Sequence, residues 1–109
     1  MKELLENAEE FLKSGEENLE KERFNVAVSD FFKAIAILCD YIIYREIKIL
    51  PKNHADRFSL LRTHFKDVYN KITELFNLYV LSYNKKLTKQ NVLELKTYAY
   101  ELKTYISSK

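Results

Sequence analysis

The sequence has little glycine, proline or cysteine and no tryptophan: its 109 residues include one Gly, one Pro and one Cys. An all-β domain needs turn residues roughly every 8–12 positions, so this composition nearly excludes that class. One glycine cannot form a glycine-rich phosphate loop, and one cysteine cannot form an internal disulfide. With only two histidines beside that cysteine, we expect no metal site and no cofactor.

Long uncharged apolar runs are also missing. A membrane-spanning helix needs about 18 or more such residues, and the chain has neither such a run nor a basic-then-apolar leader. We therefore expect a soluble, cytoplasmic protein without a membrane partner. Its length predicts one domain over residues 1–109, large enough to bury a core.

Apolar residues recur at three- and four-residue steps along most of the chain, which is typical of amphipathic helices. Asn53, Asp67 and Thr88 are candidate N-caps, and Pro51 is expected to end the helix before it. The sequence predicts an all-α fold: a four-helix up-and-down bundle with a short extra helical segment before the third long helix. The helices are expected over about 2–20, 22–49, 54–65, 68–82 and 89–107.

Two features of the first helices leave alternatives open. Gly15 lies in the apolar stripe of the first helix, where it marks close approach of a neighbouring helix or is a tolerated defect costing about 1 kcal/mol. The second helix is apolar around more than one face, and the residues outside its main stripe are Val26, Phe32, Ala36, Ile37 and Cys39. It is either the central helix of the bundle or forms an interface with another chain. The lone Cys39 is expected to be a core residue.

Charge is distributed unevenly along the chain. Residues 1–22 sum to −5, whereas residues 45–71 and 84–109 each sum to +4. These segments are either solvated helix faces that complement one another or a basic surface for phosphate-bearing partners. The fifteen tyrosines and phenylalanines are expected in the core and interfaces, and any that stand exposed beside Lys or Arg could stack on bases.

Polar residues that can bind phosphate or move protons concentrate around the third predicted helix. On one helix, His54, Arg57 and His64 lie on the same face, with Arg57 and His64 about 10 Å apart along the axis. Arginine binds phosphate through paired hydrogen bonds, and histidine transfers protons near neutral pH. The alternative is that His54 and His64 are helix-end or surface residues. Arg57 would then pair with Asp56, Asp67 or an acid on another helix. The cluster consists of Asn53, His54, Arg57, Arg62, His64 and Lys66.

The order of motifs resembles the HEPN superfamily of small four-helix proteins. The pattern A-E-x-x-L begins at Ala8, F-x-x-A-x-x-x-x-x-K-A-I begins at Phe24 and N-H-x-x-R-F-x-L-L begins at Asn53, followed by a tyrosine-rich last helix. The resemblance covers nearly the whole chain. It implies a homodimer that is associated with a minimal nucleotidyltransferase.

Active members of that family resemble one another in a motif in which a histidine follows an arginine after four to six residues. In those members the two residues together cleave RNA without a metal. Arg57 and His64 match the letters of this motif, but the motif usually falls in the stretch corresponding to 75–83. There Asn77 is present, Phe76 occupies the arginine position, and Ser82 or Tyr83 occupies the histidine position.

The resemblance therefore implies a non-cleaving module that pairs with a minimal nucleotidyltransferase, as toxin–antitoxin or substrate-presenting partner, and binds nucleotide or RNA. The alternative is a metal-independent endoribonuclease toxin with Arg57 and His64 as catalytic residues. The candidate nucleotide- or RNA-binding residues are Asn53, His54, Arg57, Arg62, Lys66 and Asn77.

Overall fold

Residues 1–108, which the computed structural model describes, form five helices and no strand. The predicted all-α class is confirmed, and each predicted helix is present. The helices are α1 (Lys2–Glu20), α2 (Phe24–Ile47), α3 (His54–His64), α4 (Lys66–Leu81) and α5 (Lys89–Ser107). None of these helices is both long and apolar enough to cross a membrane.

Helix α2 is the central helix of the chain, because it packs against each of the other four. Of the apolar side chains that widened its predicted face, Phe32, Ala36 and Cys39 are buried, Ile37 is partly buried and Val26 is 49% exposed. Neighbours in the same chain thus cover most of the wide face of α2, and Val26 remains exposed. The core residues of α1, α4 and α5 pack around it.

Helices α1 and α2 approach each other closely at Gly15. A Cβ atom built there would lie 2.9 Å from three ring carbons of Phe31, a fully buried residue of α2. Carbon atoms do not pack at that distance, so the ring occupies the space that any larger residue would need. Of the two alternatives for Gly15, the structure shows the close approach.

Local backbone conformation decides where α1 and α2 end. After α1, Glu22 takes a left-handed conformation (φ 60°) and the Arg23 amide donates to the Asn18 carbonyl at 2.8 Å, a Schellman-type end. Helix α2 ends at Ile47 because Lys48 is left-handed (φ 62°). The prediction that Pro51 ends α2 was therefore wrong: the helix has already stopped four residues earlier.

Helices α3 and α4 are separated only by Phe65, whose backbone is extended (φ −140°). Asn53 caps α3 as predicted, since its side chain accepts from the Asp56 amide at 2.8 Å. The predicted N-cap Asp67 was wrong, because α4 begins at Lys66 and Asp67 lies in its first turn. An acid in the first turn is also favourable, because it lies near the positive N-terminal end of the helix dipole. The presence of Asp67 therefore marked the start of α4 without marking its N-cap.

Helix α5 begins with a capping box formed by Thr88 and Asn91, confirming Thr88 as the N-cap. The helix also pairs with the acidic α1: Lys96 contacts Glu16 at 2.9 Å and Lys103 contacts Glu9 at 2.5 Å. Part of the charge asymmetry is therefore complementary faces within the fold. Lys85 and Lys86, in the loop before α5, take no part in these two pairs.

Candidate functional site

The central polar contact of the molecule joins α2 to α3. The guanidinium of Arg57 donates from Nε to Asp40 Oδ1 at 2.7 Å and from Nη2 to Asp40 Oδ2 at 2.9 Å. This is a two-bond arginine–carboxylate pair, which fixes both distance and orientation. Both side chains are only 11% exposed.

Burial makes this pair obligatory. A charged side chain removed from water loses several kcal/mol of hydration, which only a well-aligned partner restores. Asp40 lies on the most apolar helix, next to Cys39 and among core residues. The Arg57 charge is therefore neutralised within the fold by an acid on another helix, one of the alternatives that the sequence left open.

His54 completes the cluster from the first residue of α3. Arg57 Nη1 and His54 Nδ1 are 2.8 Å apart. Because arginine can only donate, Nδ1 accepts, and the proton of the neutral imidazole is on Nε2. Burial and the Arg57 charge lower the pKa of His54 below its usual 6.5, while Asp40 acts in the opposite direction. His54 is thus a neutral ring with a defined N–H donor near neutral pH.

Aromatic rings surround the imidazole. Its ring centroid lies 5.5 Å from Phe76 and 6.4 Å from both Phe32 and Tyr79. Phe76, the residue in the family's arginine position, also contacts Phe58 edge-on at 5.2 Å. It therefore packs within an aromatic cluster and adds no charge to the site.

His64 lies apart from this cluster, at the last position of α3. It is exposed and contacts the ring of Phe65, with 6.4 Å between centroids. Two helical turns, about 10 Å along the axis, separate it from Arg57. It lines a cavity of about 490 Å³ against α5, beside Asp67 and Glu101.

The remaining predicted residues do not converge on one point. Asn53 uses its side-chain oxygen as the cap of α3. Arg62 and Lys66 are exposed towards the end of α3 and the start of α4, and Asn77 is exposed on α4. Of the predicted set, the structure brings His54 and Arg57 into contact and leaves the others distributed along the surface.

Asp40 is the site residue that sequence reasoning missed. The signal was available, since an acid within a long apolar helix needs a buried partner. What the sequence does not specify is which cation reaches it, because Asp40 and Arg57 are 17 residues apart and on different helices. Neighbouring Cys39 is fully buried, as predicted, and burial first, then the Asp40 charge, raises the pKa of its thiol to about 12. It is not a nucleophile at neutral pH.

The arrangement has the chemistry of a fixed recognition site: one oriented imidazole donor, flanking aromatic rings and a neutralised arginine. Within residues 1–108, no group of three His, Cys, Asp or Glu residues could hold a metal ion. Comparisons of the chain with protein-family models, curated proteins and solved structures return no match. The HEPN resemblance therefore remains a property of the sequence patterns.

Proposed function

We propose that the chain is a HEPN-like dimeric helical module of the cytoplasm that pairs with a minimal nucleotidyltransferase and binds nucleotide or RNA without cleaving it. In this proposal α1, α2, α4 and α5 form an up-and-down bundle, and α3 is the extra segment before the third long helix. The short connections and the packing of α2 against the other helices support that arrangement. The nucleotidyltransferase partner follows from the resemblance.

One observation carries the non-cleaving part of the proposal: Arg57 is paired with Asp40. A phosphate would have to compete with a buried carboxylate that already accepts two bonds from the guanidinium. Displacing it would leave the Asp40 charge buried without a partner, which costs about 3–5 kcal/mol. Arg57 thus serves the fold, and its role at the surface is to orient His54.

The ribonuclease alternative requires Arg57 to hold phosphate while His64 transfers a proton. His64 is at the far end of α3, and the imidazole in contact with Arg57 is His54. The geometry thus favours the binding module. RNA cleavage and its dependence on His64 therefore separate the two functions.

The deciding experiment incubates the chain with single-stranded RNA in the presence of a metal chelator. We expect intact RNA with the wild-type chain and with His64→Ala. His64 is exposed, so this substitution leaves the fold in place, and His54→Ala is the matched control at the other imidazole. Cleavage by the wild type that disappears in His64→Ala would overturn the proposal in favour of the ribonuclease.

A further inference from the structure

A cavity at one end of the molecule has the composition of an anion site. It measures about 610 Å³ and lies between the turn joining α1 to α2 and the loop joining α4 to α5. Three exposed cations line it, Arg23, Lys85 and Lys86, with one carboxylate, Glu22. In residues 1–108 none of the three cations forms an ion pair, whereas Lys96 and Lys103 on α5 do.

Asn25 fixes the walls of this cavity relative to each other. Its Nδ2 donates to the carbonyl oxygens of Ser82, at 2.8 Å, and Lys85, at 2.5 Å. Its Oδ1 accepts from the Leu87 amide at 3.0 Å. One side chain of α2 thus holds both ends of a loop about 60 residues away in sequence. The backbone that carries the two loop lysines is therefore fixed at the cavity that Arg23 also lines.

Tyr83 adds an aromatic surface to the same cavity. Tyr83 is 75% exposed, more than any other large hydrophobic residue of the described chain. It is held in place by Tyr79, with ring centroids 5.7 Å apart and the two hydroxyl oxygens 3.0 Å apart. Tyr79 in turn stacks on buried Phe32 at 4.8 Å. Tyr83 is thus an exposed ring with a rigid support.

We propose that this cavity binds a nucleoside phosphate, with the phosphate on Arg23, Lys85 and Lys86 and the base stacked on Tyr83. Cations that track phosphate beside an aromatic platform are how sequence-tolerant nucleic-acid sites are built. The inference deepens the proposed function, on which it rests, by locating its ligand away from the His54–Arg57 cluster. A free nucleotide and a nucleotide of single-stranded RNA present the same groups.

The experiment titrates the full chain with two probes, ATP and a single-stranded oligoadenylate, followed by NMR amide shifts and binding affinity. We expect saturable shifts in residues 22–26 and 83–87. Tighter binding of ATP identifies a free nucleotide as the ligand, and tighter binding of the oligoadenylate identifies RNA. In the RNA case the salt slope should fall by about 0.7 for each lysine contact removed.

The double variant Lys85→Gln/Lys86→Gln and the variant Tyr83→Ser should each weaken binding by about tenfold or more. All three residues are exposed, so the fold is expected to persist. The matched control removes two lysines of α1, Lys2→Gln/Lys13→Gln, and should retain wild-type affinity at the same net charge as the double lysine variant.

Unchanged affinity in the loop variants, or shifts confined to the surroundings of His54 and Arg57, would overturn this site while leaving the proposed function standing. Absence of any binding by either probe would also overturn it. RNA cleavage in chelator together with shifts at 83–87 would overturn the proposed function and leave the site standing.

Discussion

At the scale of single residues, the pairing of Asp40 with Arg57 makes a prediction about stability. Arg57→Met leaves a buried carboxylate without a partner and should lower the free energy of unfolding by about 3–5 kcal/mol. Asp40→Leu combined with Arg57→Met removes both charges and should cost much less than either single change. Urea unfolding of Arg57→Met, Asp40→Leu and the double variant measures these losses of stability. Additive losses in the double variant would show that the two side chains are not coupled.

The lowered pKa of His54 predicts a dependence of stability on pH. Below pH 6.5 the unfolded chain takes up a proton that folded His54 resists. The unfolded state then binds more protons, so this contribution is present above pH 6.5 and is lost as the pH falls through the folded pKa. Between about pH 7.5 and about pH 5.5 the free energy of unfolding should fall less in His54→Gln than in the wild type. Urea unfolding at the two pH values measures this difference.

The control for this prediction is His64→Gln, which removes the other imidazole and keeps His54. This variant should still lose the stability that depends on neutral His54 when the pH falls. An NMR titration placing the His54 pKa above 6.5 would contradict the structure, because burial and the adjacent Arg57 charge both disfavour the protonated ring.

The sequence identified most of these residues but not their partners. His54 and Arg57 were predicted to share a helix face, and they are in contact. The same spacing placed His64 on that face, but residues two turns apart do not meet without a bound ligand between them. Asp40 was missed because helical periodicity describes neighbours on one helix, and its partner lies on another.

At the scale of helices, Gly15 predicts a steric limit between α1 and α2. Gly15→Ala should destabilise the chain by about 1–3 kcal/mol from overpacking against Phe31, partly offset by the helix propensity of alanine, about 1 kcal/mol. Thermal or urea unfolding tests this. In a Phe31→Leu background the ring is absent, so the same Gly15→Ala change should be neutral or stabilising. A loss of stability in both backgrounds would contradict the close approach.

Helix positions were predictable to within about two residues, because hydrophobic periodicity and caps are local properties. Asn53 and Thr88 were correct as caps, since each side chain bonds the backbone three residues on. The end of α2 was not predictable in the same way. Lysine at position 48 carries no signal for a left-handed conformation, which favours glycine or asparagine.

At the scale of the whole molecule, the sequence predicted the all-α class but not which surfaces remain exposed. The wide apolar face of α2 is covered by the other helices except at Val26, so most of it gives no support to a second chain. Other exposed apolar residues are Val80 and Leu81 at the end of α4, and Ile49 and Leu50 after α2. If the chain is the proposed dimer, these are the residues a partner copy would cover.

A charge at the end of α4 tests this surface. Val80→Lys should convert a dimer to a monomer without unfolding it, because Val80 is 47% exposed. Thr73→Lys, two turns earlier on the same helix and also exposed, should leave the dimer intact.

The measurement that tests the central claim most directly is sedimentation velocity of the wild-type chain across the micromolar range, with Val80→Lys alongside. Because the proposed module is a dimer, we expect a wild-type dimer and a folded Val80→Lys monomer. A wild-type chain that sediments as a monomer at every concentration would contradict the account.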